Sequence, residues 1–113
     1  MSNITITTKK DLYGKWVAKS EVPLAGKQVL QIRTAKNNAG KVVTTASVCK
    51  VEIERGYRVE RFTVFGDFYE VVYAVGGSRV TQKVVEEQQA LVLQDLPFIR
   101  ARVEAFYAQK VAA

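Results

Sequence analysis

Histidine is absent from the sequence, and cysteine and methionine occur once each. Without histidine the chain lacks the commonest general base and the commonest metal ligand. The lone Cys49 excludes an intrachain disulfide and a zinc finger, and its strand-like surroundings predict a core position. The glycine-rich Gly76–Arg79 lacks the Lys-Ser/Thr pair of a phosphate-binding loop. We therefore expect no enzyme activity, no metal site and no cofactor.

Long apolar runs are also missing. No segment reaches the ~18 consecutive apolar residues of a membrane-spanning helix. The opening Met1–Lys10 has no apolar stretch of the ~7–15 residues found in signal peptides. Together with the single cysteine, these absences predict a cytoplasmic protein without a membrane partner.

The net charge of +6 is unevenly distributed along the chain. Residues 1–61 contain twelve Lys and Arg against five Asp and Glu, while residues 62–113 contain five basic and six acidic side chains. A basic field of this kind attracts phosphate-rich partners or an acidic protein surface, although ordinary solubilising lysines give the same composition. The charge thus leaves nucleic acid and an acidic or nucleic-acid-binding host protein open as partners.

The length of 113 residues, with 48% hydrophobic and 25% charged residues, is typical of one globular domain. We predict a single domain over residues 1–113 with three parts. An N-terminal strand and irregular segment occupy residues 1–26, a β-meander residues 27–76, and a helical region residues 80–110.

The meander is predicted from alternating β-branched and aromatic residues. Its four strands are Lys27–Ala35, Lys41–Ile53, Tyr57–Phe65 and Asp67–Val75. Between the last two, Gly66-Asp67 suits a two-residue hairpin loop, which favours glycine at its first central position.

After the meander the apolar period changes from two to about 3.6 residues, which predicts a helix. Thr81 is the predicted N-cap, and Pro97 predicts a kink or break. The predicted fold class is therefore α+β: an antiparallel four- to five-stranded meander sheet followed by a C-terminal helix, kinked or broken at Pro97, that packs on one face.

The predicted two-residue loop assigns the aromatic residues of the last hairpin to two faces. It places Phe65 opposite Phe68, and facing residues on paired strands share one side of the sheet. Tyr69 and Tyr73 are then predicted in the core, while Phe65 and Phe68 lie on the uncovered face.

That uncovered face combines arginines, small polar groups and rings. Arginines meet phosphates, hydroxyls hydrogen-bond to backbone or base edges, and rings stack on unpaired bases at about 1–3 kcal/mol each. The predicted nucleic-acid-binding residues are Arg33, Lys36, Lys41, Thr45, Ser47, Arg61, Phe65 and Phe68. A dimer interface, or packing beneath an N-terminal segment, remains an open interpretation of the same face.

Four short signatures occur in a recognisable order: TTASV at Thr44–Val48, GY at Gly56-Tyr57, FGDF at Phe65–Phe68 and RVTQKVV at Arg79–Val85. Over Val29–Leu91 the chain resembles a loose group of short uncharacterised proteins carried on plasmids, phages and integrated elements. That resemblance implies a mobile-element accessory protein without a defined activity. The predicted topology is also similar to single-strand binders of the transcriptional-coactivator and Whirly type, which use a curved sheet face and dimerise through helices.

Two functions from different classes are therefore expected. The first is a non-enzymatic accessory protein of a mobile element that binds single-stranded DNA or RNA through the basic and aromatic sheet face, as a homodimer. The alternative is a protein-binding inhibitor or accessory factor, such as an anti-defence protein of a phage or plasmid, that docks on a host protein.

Overall fold

A computed structural model describes residues 4–24, 26–61, 68–75 and 80–112 of the chain. The elements are β1 (Thr7–Lys10), β2 (Trp16–Pro23), β3 (Gln28–Lys36), β4 (Val42–Glu54), β5 (Tyr57–Arg61), β6 (Tyr69–Val75), α1 (Gln82–Leu93) and α2 (Leu96–Ala112). Strands β1 to β5 lie side by side in chain order, β6 pairs with β4, and all pairs are antiparallel. The predicted α+β class, an antiparallel sheet followed by helices, is confirmed.

Strand β4 organises the sheet because it is 13 residues long and pairs with two different strands along one of its edges. On one side, Val42–Lys50 pairs with β3 in a constant register. On the other side, Val42–Ser47 pairs with β6 and Lys50–Glu54 pairs with β5. A tight turn at Arg55 and Gly56 joins β4 to β5, with positive φ angles of 52° and 83° that match the twist of a two-residue hairpin.

Both helices cover the same face of the sheet, which we call the inner face. Thr81 caps α1 as predicted, since its hydroxyl accepts a hydrogen bond from the Val84 N–H at 3.2 Å. Helix α1 ends at Leu93 and α2 begins at Leu96, so the break predicted near Pro97 is confirmed. The proline lies in the first turn of α2, where a missing N–H leaves no intrahelical bond unmade. Neither described helix is long and apolar enough to cross a membrane.

The main core lies between these helices and the inner face. Its buried members are Val22, Leu30, Ile32, Ala46, Val48, Phe68, Val92, Leu96, Ile99 and Val103. The inward residues of β3 and β4 alternate along each strand with residues of the opposite face, as expected for a sheet covered on one side. The apolar stripe predicted for the helices is the part that meets the sheet.

Strand β6 pairs with β4 among the described residues, so the predicted register of the last hairpin is wrong. Tyr69 lies opposite Ser47, and the Val48 N–H donates to the Phe68 carbonyl at 3.0 Å. Neighbours across a sheet share a face, so Phe68 takes the inner side and Tyr69 the other. Phe68 is 6% exposed, whereas Tyr69 and Tyr73, both predicted in the core, are 67% and 41% exposed.

The segment Trp16–Pro23, predicted as irregular, forms strand β2. Its inward residues Ala18, Ser20 and Val22 are buried, while Lys19 lies on the opposite face, across from Arg33. Small and polar inward side chains weaken the apolar alternation by which a strand is recognised in a sequence. The strand is therefore defined by its tertiary contacts more than by its own pattern.

A buried polar network connects α1 to the middle of the sheet. The fully buried Gln89 donates from its amide nitrogen to the Ser20 hydroxyl at 2.9 Å and to the Ile32 carbonyl at 2.8 Å. Its amide oxygen accepts from the Thr34 hydroxyl at 2.7 Å, and that hydroxyl lies 2.7 Å from the hydroxyl of Thr44. One helical side chain thus fixes α1 on β2 and β3 at once.

Cys49 is fully buried in β4, as its sequence context predicts. Burial, together with the nearby Glu60 and Glu21 carboxylates, raises the pKa of its thiol. Since the thiolate is the reactive form, we expect a thiol reagent at mildly alkaline pH to label the folded protein roughly 100-fold more slowly than the urea-unfolded chain. Equal rates for the folded and unfolded protein would contradict the buried position.

Candidate nucleic-acid interface

The face of the sheet away from the helices, which we call the outer face, carries two polar rows that cross the strands. In the first row, Lys19 of β2, Arg33 of β3 and Thr45 of β4 lie directly opposite one another, and Val71 of β6 ends the row. The second row consists of Glu21, Gln31, Ser47 and Tyr69. The strand registers therefore bring basic, hydroxyl and aromatic groups from four strands together.

A groove of about 430 Å³ lies over the β6 end of these rows. Its walls include Arg33, Lys36, Thr45, Ser47, Tyr69 and Val71, and we call it the Tyr69 groove. Arg33 and Lys36 are exposed, while the two hydroxyl residues are half-buried. Four of the eight residues predicted from the sequence thus come together in one depression.

Of the other four predicted residues, the structure describes the side chains of two, Lys41 and Phe68. Lys41 is exposed in the turn between β3 and β4, away from the groove lining. The prediction that Phe68 faces a ligand is wrong, because its ring lies in the core, edge-on to Phe106 with the ring centroids 5.8 Å apart. The side chain of Arg61 and the whole of Phe65 lie outside the described residues.

Tyr69 and Val71 are site residues that the sequence pattern assigns to the core. Their side chains are 67% and 54% exposed. The outward position follows from the pairing of Tyr69 with Ser47, and this can be inferred only once β4 is known to be the partner of β6. The ring expected from Phe65 and Phe68 is therefore supplied, among the described residues, by Tyr69.

An ion-pair network, which we call the Glu60 network, lies beside the groove. Arg58 donates to Glu60 at 2.9 Å and also to Glu21, while the Lys19 ammonium lies 3.4 Å from Glu60. The Gln31 amide donates to Glu60 at 2.9 Å. Burial acts to raise the pKa of Glu60, but the Gln31 hydrogen bond and the charges of Lys19 and Arg58 hold it below its ordinary value. The acids in this region are thus neutralised within the protein.

The cations that line the Tyr69 groove do not belong to the Glu60 network. Within the described ranges, no ion pair includes Arg33 or Lys36. Lys19 lies directly opposite Arg33, but its charge is compensated by Glu60, 3.4 Å from its ammonium. The hydrogen bond from the Lys15 backbone N–H holds the pKa of the Asp11 carboxyl below its ordinary value, and the positive charge of Arg33 makes a smaller contribution in the same direction. Arg33 and Lys36 are therefore the cations of the Tyr69 groove that form no ion pair within the described residues.

Among the residues that the structure describes, no three His, Cys, Asp or Glu side chains are grouped so that they could hold a metal ion. Comparison with models of protein families, with curated proteins and with solved structures found no match. The resemblances to mobile-element proteins and to Whirly-type binders therefore stay predictions from the sequence.

Proposed function

We propose that this protein is a non-enzymatic nucleic-acid-binding protein that takes single-stranded DNA or RNA into the Tyr69 groove. The supporting observation is that an exposed ring and two cations, unpaired within the described residues, line one groove. Guanidinium and ammonium groups neutralise phosphates, and an aromatic ring stacks on a base with about 1–3 kcal/mol. Thr45 and Ser47 supply hydroxyls between Arg33 and Tyr69 that can hydrogen-bond to sugars or base edges.

A single strand fits this arrangement better than a duplex. In a duplex the bases are paired and stacked on one another, so a ring on a sheet face meets only backbone and groove edges. An unpaired base exposes its π-face to Tyr69, and stacking of this kind tolerates any sequence.

The proposed function is tested by fluorescence anisotropy with a labelled oligothymidylate and, in parallel, with a blunt-ended duplex of equal charge. With two phosphate contacts, at Arg33 and Lys36, raising the salt from about 50 to about 200 mM is expected to weaken single-strand binding about sevenfold. The duplex is expected to bind at least about tenfold more weakly, since it offers no base to the ring. Undetectable binding of the single strand at the lower salt would contradict the proposal.

Arg33→Ala is expected to weaken single-strand binding about tenfold or more, because a hydrogen bond to a charged group contributes about 1.5–3 kcal/mol. The slope of log K against log salt should also become shallower by about 0.7, whereas Arg33→Lys should keep the slope. Lys83→Ala is the control, since it removes the same charge from an exposed position on α1. Equal losses in Arg33→Ala and Lys83→Ala would indicate attraction to net charge without a defined site.

Self-association through the helices is a second part of the proposal. Leu91 and Phe98, which flank the turn between α1 and α2, are 48% and 67% exposed. A homodimer formed through the helical layer would leave the outer face of each sheet open. Phe98→Glu is therefore expected to convert a dimer to monomers in sedimentation velocity. A wild-type protein that sediments as a monomer at every concentration would contradict dimerisation.

A second candidate function, docking on an acidic host protein, is favoured by the same unpaired cations at Arg33 and Lys36. The two candidates differ at Tyr69, whose ring has a stacking role only with nucleic acid. A partner captured from host lysate should be lost on nuclease treatment if nucleic acid is the ligand, and should be retained if the partner is a protein.

A further inference from the structure

Two further grooves lie beside the Tyr69 groove on the outer face. Arg33 and Gln31 also line a second groove, of about 310 Å³, that extends over β2 to Lys9 of β1. Lys9 and Lys19 in turn line a third groove of about 400 Å³. Neighbouring grooves share lining residues, so the three lie side by side across the outer face from β6 to β1, and we call them together the outer-face depression.

Three acidic side chains line the part of this depression beyond Arg33, and each is already engaged. Glu21 and Glu60 belong to the Glu60 network. Asp11 accepts two backbone N–H groups of the turn between β1 and β2, each at 2.9 Å. In contrast, no ion pair in the described part of the chain includes Lys9 or Arg33. The charges outside ion pairs in this part of the depression are therefore the two positive charges of Lys9 and Arg33 and the negative charge of Asp11, which backbone N–H groups do not neutralise.

We infer that the nucleic acid crosses the sheet obliquely, from Tyr69 on β6 to Lys9 on β1, which lie four residues apart in strand register. Lys9 is then a further phosphate-binding residue, outside the set predicted from the sequence. This inference rests on the proposed nucleic-acid function and adds the path and length of the ligand.

The width of the sheet sets that length. Four strand spacings of about 4.8 Å across the sheet and a register offset of four residues at about 3.3 Å each separate Tyr69 from Lys9, a distance of about 23 Å. At about 3.4 Å per nucleotide along a stacked strand, this span accommodates about seven nucleotides, and fewer where the strand is stretched. A site of this size falls within the range of about 4–16 nucleotides found in sheet-based single-strand binders.

Lys9 and Lys10 provide a matched pair of variants. Lys9 lies opposite Val17 on the outer face and lines two of the grooves. Lys10 lies opposite Trp16 and holds its ammonium 5.2 Å from the centre of that ring. Trp16 packs against the core on the helical side. The two lysines thus have the same charge and adjacent positions but opposite faces.

The experiment is an NMR titration of the full chain with oligothymidylates of three and of six nucleotides, a method that measures weak as well as tight binding. Lys9→Ala is expected to weaken binding of the longer oligonucleotide about fivefold or more and to leave the shorter one, held at Tyr69 and Arg33, unchanged. Lys10→Ala is expected to change neither.

Equal binding of the longer oligonucleotide by Lys9→Ala and the wild type would overturn the path to β1, as would equal losses in Lys9→Ala and Lys10→Ala. A loss of the same size for both lengths would overturn it as well, because the shorter ligand should not reach β1. If the wild type binds neither length, the proposed function itself fails, and the path fails with it.

Discussion

Phe68→Ala is expected to lower the free energy of unfolding by about 3–5 kcal/mol, the usual range for truncating a buried phenylalanine. The ring is 6% exposed and packs edge-on against Phe106 of α2. The Phe68 backbone N–H donates to the Tyr107 hydroxyl at 3.2 Å, so the same residue also ties the entry to β6 to the helix. Urea unfolding followed by circular dichroism measures the loss.

Tyr69→Ala, one position further on, is the matched control and should show the reverse pattern. Its ring is mostly exposed, so we expect a stability loss of about 1 kcal/mol or less. Single-strand binding should weaken by about 1–3 kcal/mol because the stacking ring is lost, whereas Tyr69→Phe should retain it. A stable Phe68→Ala variant that fails to bind would mean that the two faces of β6 have been assigned the wrong way round.

Gln89→Ala is also expected to lower the free energy of unfolding by about 3–5 kcal/mol. Truncation opens a cavity beneath α1, and it leaves the buried Ile32 carbonyl and Thr34 hydroxyl without a hydrogen bond that each now makes. An unsatisfied buried polar group costs about 1–3 kcal/mol. Ser20 loses its bond from the Gln89 amide as well.

Each hydrogen bond in the network around Gln89 has a fixed donor and acceptor. Truncation of one side chain therefore affects the hydrogen bonds of the others. The Gln89 amide oxygen can only accept, so the Thr34 hydroxyl donates to it and must accept from Thr44. Thr44 in turn accepts from the Gln88 amide at 2.9 Å. Breaking one member therefore leaves the next without its donor or acceptor.

Two further variants serve as comparisons for the stability loss of Gln89→Ala. Gln89→Leu keeps most of the volume and should isolate the polar part of the loss, at about 2 kcal/mol. Gln109→Ala, at an exposed position of α2, should stay within about 0.5 kcal/mol of the wild type. A change below about 1 kcal/mol for Gln89→Ala would show that the network does not hold α1 on the sheet.

The placement of Arg33, Thr45 and Ser47 on one face can be predicted from the sequence because it depends on local chain geometry. A short turn joins β3 to β4, and the alternation of apolar residues such as Leu30 and Ile32 defines the inward side of the hairpin. Both residues are fully buried. The outward residues then follow from the period of two along each strand.

The faces of β6 could not be predicted in the same way. They depend on which strand β6 joins, and β4 is long enough to pair with both β5 and β6 along one edge. A one-residue change of register exchanges every side chain between faces. Assuming a hairpin with β5 therefore placed Phe68 outside and Tyr69 inside, the opposite of what pairing with β4 requires.

Strand β2 could not be predicted from the sequence for a related reason. Its inward residues Ala18 and Ser20 carry little apolar signal, and Ser20 meets its partner Gln89 from a helix 69 positions away in the chain. A contact at that separation leaves no periodic trace in the local sequence. Lys19, which lies opposite Arg33 on the outer face, is consequently absent from the residues predicted from the sequence.

Titration of the isotopically labelled protein with a single-stranded oligonucleotide is the most direct test of the proposed interface, because amide chemical shifts locate a contact residue by residue. At low salt, the largest shifts are expected at Arg33, Thr45 and Tyr69 on the outer face, with the amides of α1 and α2 nearly unchanged. Shifts confined to the helices, or no shifts at all, would contradict binding in the Tyr69 groove.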